Sequence, residues 1–534
     1  MPTFKLDGQE IPFEPGETII QAARRAGIEI PHYCWHPGLS VAANCRMCLV
    51  EIGPPPGRKP MMLDVLGWSA DAGDYVAEQK PKLQPACQAA AADGMEVKSN
   101  TSEHVLRARS AVQELLLLNH PVDCPICDQA GECKLQDYWL EHQASKKRMH
   151  DEPVHKPKAV PFGPTIVYDA ERCVLCTRCV RFSEEVAKDP VLSVRERGNL
   201  NEIVVAPGRE LDHDYTLMTE FVCPVGALTA RDFRFKARVW FLRSADTVCT
   251  GCATGCNALA DFDPRHQKVY RYRPRENEKV NGYWMCDEGM LDYRRIHEGR
   301  VLEARYKGKA TELTTAVKRA AKVLAEASAD RLAVVLSAQH SNEDNYALLT
   351  LARDYLGAGE LYLAAKPDGE GDEILRHADK NPNRAGVVGL CTSSPPHPVA
   401  ELVDKVKDGS VTHILALGIE AEAEVTASLV GHTHVVALAT HESAALEGAR
   451  VVLPASSWAE SEGTFVNANE LAQRSGRVVR PLGASEPAWR LVSLLARAMG
   501  HELEWKRVAE LRSAMAPVAG ATVAAVEAQA GAIN

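Results

Sequence analysis

At 534 residues the chain is long enough for three or more domains, and 46% hydrophobic with 25% charged residues is an ordinary soluble composition. A net charge of −10 argues against nucleic acid as the main partner. Residues 1–10 carry no signal-peptide pattern and no run of about 18 apolar residues occurs, so neither secretion nor a membrane span is expected, and structural disulfides are not expected either.

The cysteines are more informative. Of the 16, fifteen lie in residues 1–286 and only Cys391 follows. With His120 those fifteen make sixteen soft donors, or four sets of four. The front of the chain is therefore expected to bind metal and the back is not.

Residues 1–98 read as a small β-rich domain. Asp7-Gly8 is a hairpin turn within residues 5–12, and residues 16–27 read as a helix with Thr18 as a possible cap and Gly27 as its stop. Cys34, Cys45, Cys48 and Cys87 follow. Their spacing resembles the 2Fe-2S site of plant-type ferredoxins, with ten residues instead of four between the first two ligands and a late fourth. Residues 53–80, opening on a proline-rich run, read as a surface insertion. A zinc ribbon is the plainer alternative, but it normally has two Cys-x2-Cys pairs.

Residues 99–150 read as helical. The stretch 102–118 carries apolar residues at 105, 106, 112 and 115–118, with Glu103 and the arginines expected outside. It ends at Asn119-His120-Pro121 and opens into His120, Cys124, Cys127 and Cys133, with Gly131 allowing a tight backbone. Three thiolates and an imidazole suit zinc or an iron–sulfur cluster. His32, His36, His142 and His155 lack such company and are expected to be ordinary surface or core histidines.

Residues 151–165 read as a linker. Cys173, Cys176 and Cys179 then form a Cys-x2-Cys-x2-Cys run, with Cys223-Pro224 as partner. This resembles a bacterial two-cluster ferredoxin with half its ligands removed. The missing cysteines would stand at 183, 213, 216 and 219, where the chain has Ser183, His213, Thr216 and Thr219. All four belong to one cluster, so the other 4Fe-4S set is complete. Next, Cys249, Cys252, Cys256 and Cys286 resemble the 4Fe-4S entry segment of molybdopterin oxidoreductases, with Gly251 and Gly255 letting the loop curl. A zinc site is possible for any one set and much weaker for four in a row.

Beyond residue 301 short apolar runs at 331–336, 360–364, 386–390, 413–417 and 434–438 alternate with helical stretches at 342–356, 398–407 and 420–430. That alternation predicts an open, doubly wound parallel sheet. Neither a dinucleotide fingerprint nor a Walker A loop is present. Cys391 is expected to be buried and inert, and the Ala-rich last twenty residues frayed.

Taken in this order the sites resemble the large iron–sulfur subunit, known as the G subunit, of bacterial NADH:quinone oxidoreductase (respiratory complex I). Residues 44–51, 120–133 and 223–229 are close to the family's wording, and 378–383 and 460–467 look like its later segments. The resemblance implies five domains. These are a plant-type ferredoxin-like β-grasp domain at 1–98, a helical His/Cys3 domain at 99–150 and a half-emptied bacterial ferredoxin-like domain at 151–240. An entry segment at 241–300 and a truncated molybdopterin-oxidoreductase-like α/β domain at 301–534 complete the multidomain α+β and α/β fold. It implies one 2Fe-2S cluster (Cys34, Cys45, Cys48, Cys87) and three 4Fe-4S clusters (His120, Cys124, Cys127, Cys133; Cys173, Cys176, Cys179, Cys223; Cys249, Cys252, Cys256, Cys286). No zinc, molybdenum or catalytic residue is expected. The implied role is electron relay from an NADH- and FMN-binding subunit to a ferredoxin-like, quinone-reducing subunit, in the peripheral arm of a membrane complex on the cytoplasmic face of the inner membrane. In that scheme the Cys249 site lies off the main path. A catalytic subunit of an NAD-linked formate dehydrogenase, a hydrogenase diaphorase subunit and a zinc-stabilised scaffold are the alternatives.

Overall fold

The structure is a computed structural model that describes residues 1–53, 61–145, 148–391, 394–503 and 505–515. Two compact units divide the chain, Met1–Trp240 and Phe241–Asn534.

The first unit opens on a five-stranded mixed sheet in the order Gln9–Pro12, Thr3–Leu6, Glu96–Lys98, Leu49–Ile52, Leu83–Pro85. Its hairpin turns at Asp7 (φ 49°) and Gly8 (φ 88°), the left-handed pair that a two-residue turn requires. Asp7 also accepts hydrogen bonds from Ser99 N (2.7 Å), Asn100 N (2.9 Å) and Thr101 Oγ1 (2.6 Å), which ties the turn to the end of the domain. Helix Ile19–Arg25 buries Ile19, Ile20, Ala22 and Ala23 against Phe4, Leu6, Ile11 and Val50. The insertion is a two-stranded ribbon, Met62–Ser69 paired with Asp74–Pro81; its proline-rich start, residues 54–60, lies outside the described residues.

Helix Glu103–Leu117 runs as expected from its Ser102 cap, but its buried face differs from the apolar pattern. The side chains turned inward are Val105, Arg109 and Gln113, while Leu115 is 67% exposed. Arg109 is fully buried and donates to Ser99 Oγ (2.6 Å), Asn100 Oδ1 (2.8 Å) and Leu49 O (3.3 Å). Gln113 accepts from Tyr33 Oη (2.6 Å) and donates to Leu135 O (3.0 Å). The helix lies against backbone carbonyls and a phenol that need partners, so polar groups that satisfy them are buried in place of leucines. Residues 151–165 are more than a linker: they supply strand Val160–Pro161, and Lys158 reaches three carboxylates.

The second unit begins with an antiparallel sheet of Arg243–Val248, Asn257–Asp263 and Lys268–Pro274. An eight-stranded sheet follows, in the order Lys309–Thr311, Ala304–Tyr306, Val451–Pro454, His434–Ala439, His413–Leu417, Leu332–Ser337, Glu360–Ala364, His397–Pro398. Its last six strands are parallel, and the chain reverses its direction of winding at Leu332–Ser337. Alternate residues of each strand enter two separate cores. Val334, Leu336, Leu415 and Leu417 face helices Leu313–Ala325, Asn342–Thr350 and Ala488–Ala498; Ala333, Val335, Ile414 and Ala416 face helix Val399–Lys407. Burial on both faces is why these strands read as unbroken apolar runs.

One apolar run differs from its pattern. Residues 386–390 lie in a helix, Arg384–Leu390, and the further central strand is Val451–Pro454. Asn383 fixes the helix start by donating to His340 O (2.8 Å) and accepting from Val466 N (2.8 Å), and a Cβ at Gly386 would collide with its side chain. The helix predicted at 420–430 begins at Ala423, after a short 3-10 turn, Ile419–Glu422. Cys391 is fully buried, and the Ala-rich end lies outside the described residues from 516 onward.

Arg300 and Glu460 form an ion pair at 2.6 Å with side chains 1% and 0% exposed, and Glu460 also accepts from Ser457 N (2.6 Å) and Leu482 N (2.9 Å). Glu460→Ala should destabilise the second unit by about 3–5 kcal/mol, because it strands a buried guanidinium, whereas replacing both partners by apolar residues should cost much less. Denaturant titration of the two variants checks this; equal losses would contradict it.

Candidate metal centres

Each of the four sets of donors is brought together. Cys34, Cys45, Cys48 and Cys87 meet as two hydrogen-bonded pairs, Cys45 with Cys34 and Cys48 with Cys87. The S–H of Cys45 holds Cys34 down to about 5, and a hydrogen bond from Cys48 lowers Cys87 in the same way. Ala43 (φ 49°) and Arg46 (φ 59°) flank Cys45 in left-handed conformations that cost non-glycine residues about 1 kcal/mol or more each. The sequence pattern did not reveal that strain. His32 bonds locally to Ile30 O (2.7 Å), and His36 Nδ1 accepts from Gly38 N (3.2 Å).

His120, Cys124, Cys127 and Cys133 line one cavity of ≈ 650 Å³. Cys124 starts a 3-10 turn, Cys133 caps helix Lys134–His142, and Gly131 (φ 91°) makes the turn between them. Burial lowers His120 to about 4, helped by the Arg172 guanidinium, so its imidazole is neutral and able to ligate near pH 7. Cys133 is pushed up to about 11, chiefly by burial.

Cys173, Cys176, Cys179 and Cys223 surround a small void with Tyr168, Ile203 and Val225. Leu175 (φ 53°) and Thr177 (φ 60°) bend the loop between the three consecutive ligands. Burial pushes Cys173 and Cys176 up to about 11 and Cys223 to about 12. Where a twin set would stand, Ser183 is buried and donates to Asp189 O, Thr219 donates to Thr216 O (2.7 Å), and Thr216 Oγ1 bonds Thr165 Oγ1 (2.5 Å). These three positions form a hydrogen-bonded interior, whereas His213 is half-buried, with Nδ1 accepting from Tyr215 N (3.1 Å) and Nε2 without a partner.

In the second unit Cys249, Cys252, Cys256 and Cys286 surround another small void. The loop is held by Ala253 N to Asp379 O (2.8 Å), Ala468 N to Ala253 O (2.8 Å) and Gln473 Nε2 to Gly255 O (2.8 Å). Segments 378–383 and 460–467 thus gain a local meaning: their neighbourhoods clamp this loop and the Arg300 pair. Gly255 (φ 62°) is left-handed as the loop requires, whereas Gly251 is not; the close approach is at Gly289, whose Cβ would stand 3.1 Å from Cys249 Sγ.

Among the described residues no three His, Cys, Asp or Glu converge tightly enough for a single ion. The three sets that include Cys133, Cys173 and Cys249 stand around voids instead. Burial and mutual repulsion raise Cys173, Cys176, Cys179, Cys223, Cys249, Cys256 and Cys286, so deprotonating them together requires a cationic centre. The donors fit iron–sulfur clusters in softness and number.

Within the first unit the three sets are linked. Arg181 NH2 donates to Cys34 O (2.5 Å) and Cys176 O (3.4 Å), and Asn44 donates to Leu175 O (3.3 Å). Lys134 N donates to Pro224 O (3.1 Å), and Gly226 lies against Cys127 Sγ and Gln129. The Cys173 set therefore touches both others. In the second unit a further cavity, ≈ 320 Å³, opens at the carboxyl ends of the parallel strands. Glu420, Ser456 and Ser457 line it, each with a buried oxygen that has no partner. No sequence motif marked this cavity.

The fold and donors define a multi-centre iron–sulfur protein. Matching family models give it a "2Fe-2S iron-sulfur cluster binding domain" at 1–102, an "NADH-ubiquinone oxidoreductase-G iron-sulfur binding region" at 109–148, an "NADH-quinone oxidoreductase subunit 3, ferredoxin-like domain" at 163–229 and a "Molybdopterin oxidoreductase" domain at 313–498. The NADH-quinone oxidoreductase G subunit of Streptomyces coelicolor is 32% identical over 516 residues, 90% of this chain and 56% of that one. The corresponding G subunit of Rickettsia bellii is 36% identical over 288 residues, 54% of this chain and 38% of that one. The chain is a homologue of the NADH-quinone oxidoreductase G subunits and spans about half the length of the curated relatives it matches. Among solved structures, an NAD+-reducing NiFe hydrogenase in the H2-reduced state is 30% identical, covering 45% of this chain and 91% of that one, with a TM-score of 0.36.

Gly226→Ala would place a methyl group on Cys127 Sγ. It should abolish or distort the EPR signal of the His120 set while leaving that of the Cys34 set unchanged. An unaltered spectrum would contradict the packing.

Proposed function

We propose that the chain is the iron–sulfur electron-transfer subunit of a complex I type NADH:quinone oxidoreductase. It would carry one 2Fe-2S cluster at Cys34, Cys45, Cys48 and Cys87. Three 4Fe-4S clusters would be held by the His120, Cys173 and Cys249 sets. The observation that carries this reading is the contact of the Cys173 set with both other sets of its unit. When bound, such clusters exchange single electrons with little movement of their ligands.

The protein's own work is to hold and tune. Left-handed residues pre-bend the ligand loops, burial shields most of the ligand cysteines from water, and Arg181 fixes the Cys34 and Cys176 loops to each other. A neutral imidazole at His120 leaves that set one negative charge lighter than four thiolates, which favours the reduced state. The names of the relatives support assembly into a complex I. In such an assembly an NADH- and FMN-binding partner would stand on the donor side and a ferredoxin-like, quinone-reducing partner on the acceptor side. The chain would then lie peripherally on the cytoplasmic face of the membrane; no helix among the described residues is long and apolar enough to cross it.

The five domains proposed from sequence are kept, the first three within the first unit and the last two within the second. The back domain is read as a scaffold without molybdenum: Cys391 is buried among Leu390 and its neighbours and does not line the ≈ 320 Å³ cavity. The hydrogenase reading is weaker, because a relative named as a G subunit matches across most of the chain.

Anaerobic iron and sulfide analysis of reconstituted full-length chain should find about fourteen iron atoms per chain. Abundant zinc without an EPR signal on reduction would overturn the electron-transfer reading, and stoichiometric molybdenum or tungsten would favour the formate dehydrogenase alternative. His120→Cys should keep a cluster while changing its EPR signature and lowering its potential. An unchanged spectrum would remove His120 from the ligands.

A further inference from the structure

Arg172 occupies an unusual position between two sets of donors. In sequence it immediately precedes Cys173, yet its side chain forms part of the wall of the His120 cavity. The side chain is only 6% exposed. Its guanidinium donates to Asp123 Oδ2 from NH2 (2.9 Å) and Nε (3.3 Å), and lies 3.3 Å from Asp169 Oδ2. Asp123 immediately precedes Cys124. Lys158 completes the group, reaching Asp123 (2.9 Å), Asp169 (3.1 Å) and Glu171 (2.8 Å).

An arginine needed only to neutralise Asp169 could stay within its own loop. This one directs its paired donors to the loop of the neighbouring set. Nε and NH2 converge on a single oxygen of Asp123 while Nε also faces Asp169, so the guanidinium holds carboxylates from both loops at once. The Arg172 side chain is itself buried, so its charge is less screened than one at the open surface.

We propose that Arg172 is a positioning residue shared by the two sets: it staples the Cys124 loop to the Cys173 loop, and its positive charge on the cavity wall raises the reduction potential of the group held by His120, Cys124, Cys127 and Cys133. The inference rests on the reading of that set as an iron–sulfur site. Reduction adds one negative charge at the site, and a fixed cation beside it stabilises the reduced state relative to the oxidised one. Asp123 acts in the opposite sense on the same site while serving the same staple.

That opposition makes the test. Potentiometric EPR is carried out on reconstituted full-length chain, comparing the parent with Arg172→Gln, Arg172→Lys and Asp123→Asn. A tuning role predicts opposite shifts: the potential of the His120 set falls in Arg172→Gln and rises in Asp123→Asn, with Arg172→Lys nearer the parent than Arg172→Gln. The potential of the Cys34 set stays unchanged throughout. A merely structural staple predicts that both ends of the bond matter alike, so shifts of the same sign, or none, overturn the proposal. Should Arg172→Gln lose the signal, Arg172→Lys and Asp123→Asn decide, and an Asp123→Asn potential at or below the parent's overturns it. A parent with no signal from the His120 set overturns the underlying site reading as well, and is distinguishable from every result above.

Discussion

Thiols packed together in a protein interior cannot all ionise without a positive centre among them. Burial and mutual repulsion hold Cys173, Cys176, Cys179 and Cys223 in the protonated state, and the same holds for Cys249, Cys256 and Cys286. Such sets can act together as thiolate ligands only where a cationic group is bound, and the surrounding loops bring them together in the geometry that binding needs. Left-handed residues occur in each ligand loop, cysteines start helices at 133 and 286, and glycines stand where a Cβ would strike a sulfur. Binding of the group and folding of the loops are thus linked in free energy.

In the first unit the sets are also tied to one another. The loops are joined by charged side chains and main-chain bonds. Arg181 bridges Cys34 and Cys176, and Arg172 bridges the Cys173 and Cys124 loops. Such bonds fix the spacing of the loops, on which electron transfer between groups bound there would depend. At the positions where a second ferredoxin-like set would stand, Ser183, Thr216 and Thr219 are buried and hydrogen-bonded instead.

Donor spacing was the most legible part of the sequence, because ligand chemistry tolerates few residue types and short loops limit where they can go. The hairpin at Asp7-Gly8 and the parallel strands were legible too, through turn chemistry and unbroken apolar runs. Arg109 and Gln113 were not, since the helix packs on polar backbone and an apolar count points to the wrong face. Residues 386–390 looked like a strand because a short buried helix and a buried strand are equally apolar; only the partners of Asn383 distinguish them. Arg172 and Gly226 could not be found from spacing, because each acts on a ligand set distant in sequence from its own.

The central claim is that four sets of donors hold one cluster of two irons and three of four. Mössbauer spectroscopy of the full-length chain, reconstituted with 57Fe and reduced in steps, tests it most directly. The account predicts that about one-seventh of the iron resides in a 2Fe-2S species and the remainder in 4Fe-4S species, one of them altered by His120→Cys. Iron in a single cluster type, or a 4Fe-4S component too small for three sites, would contradict it.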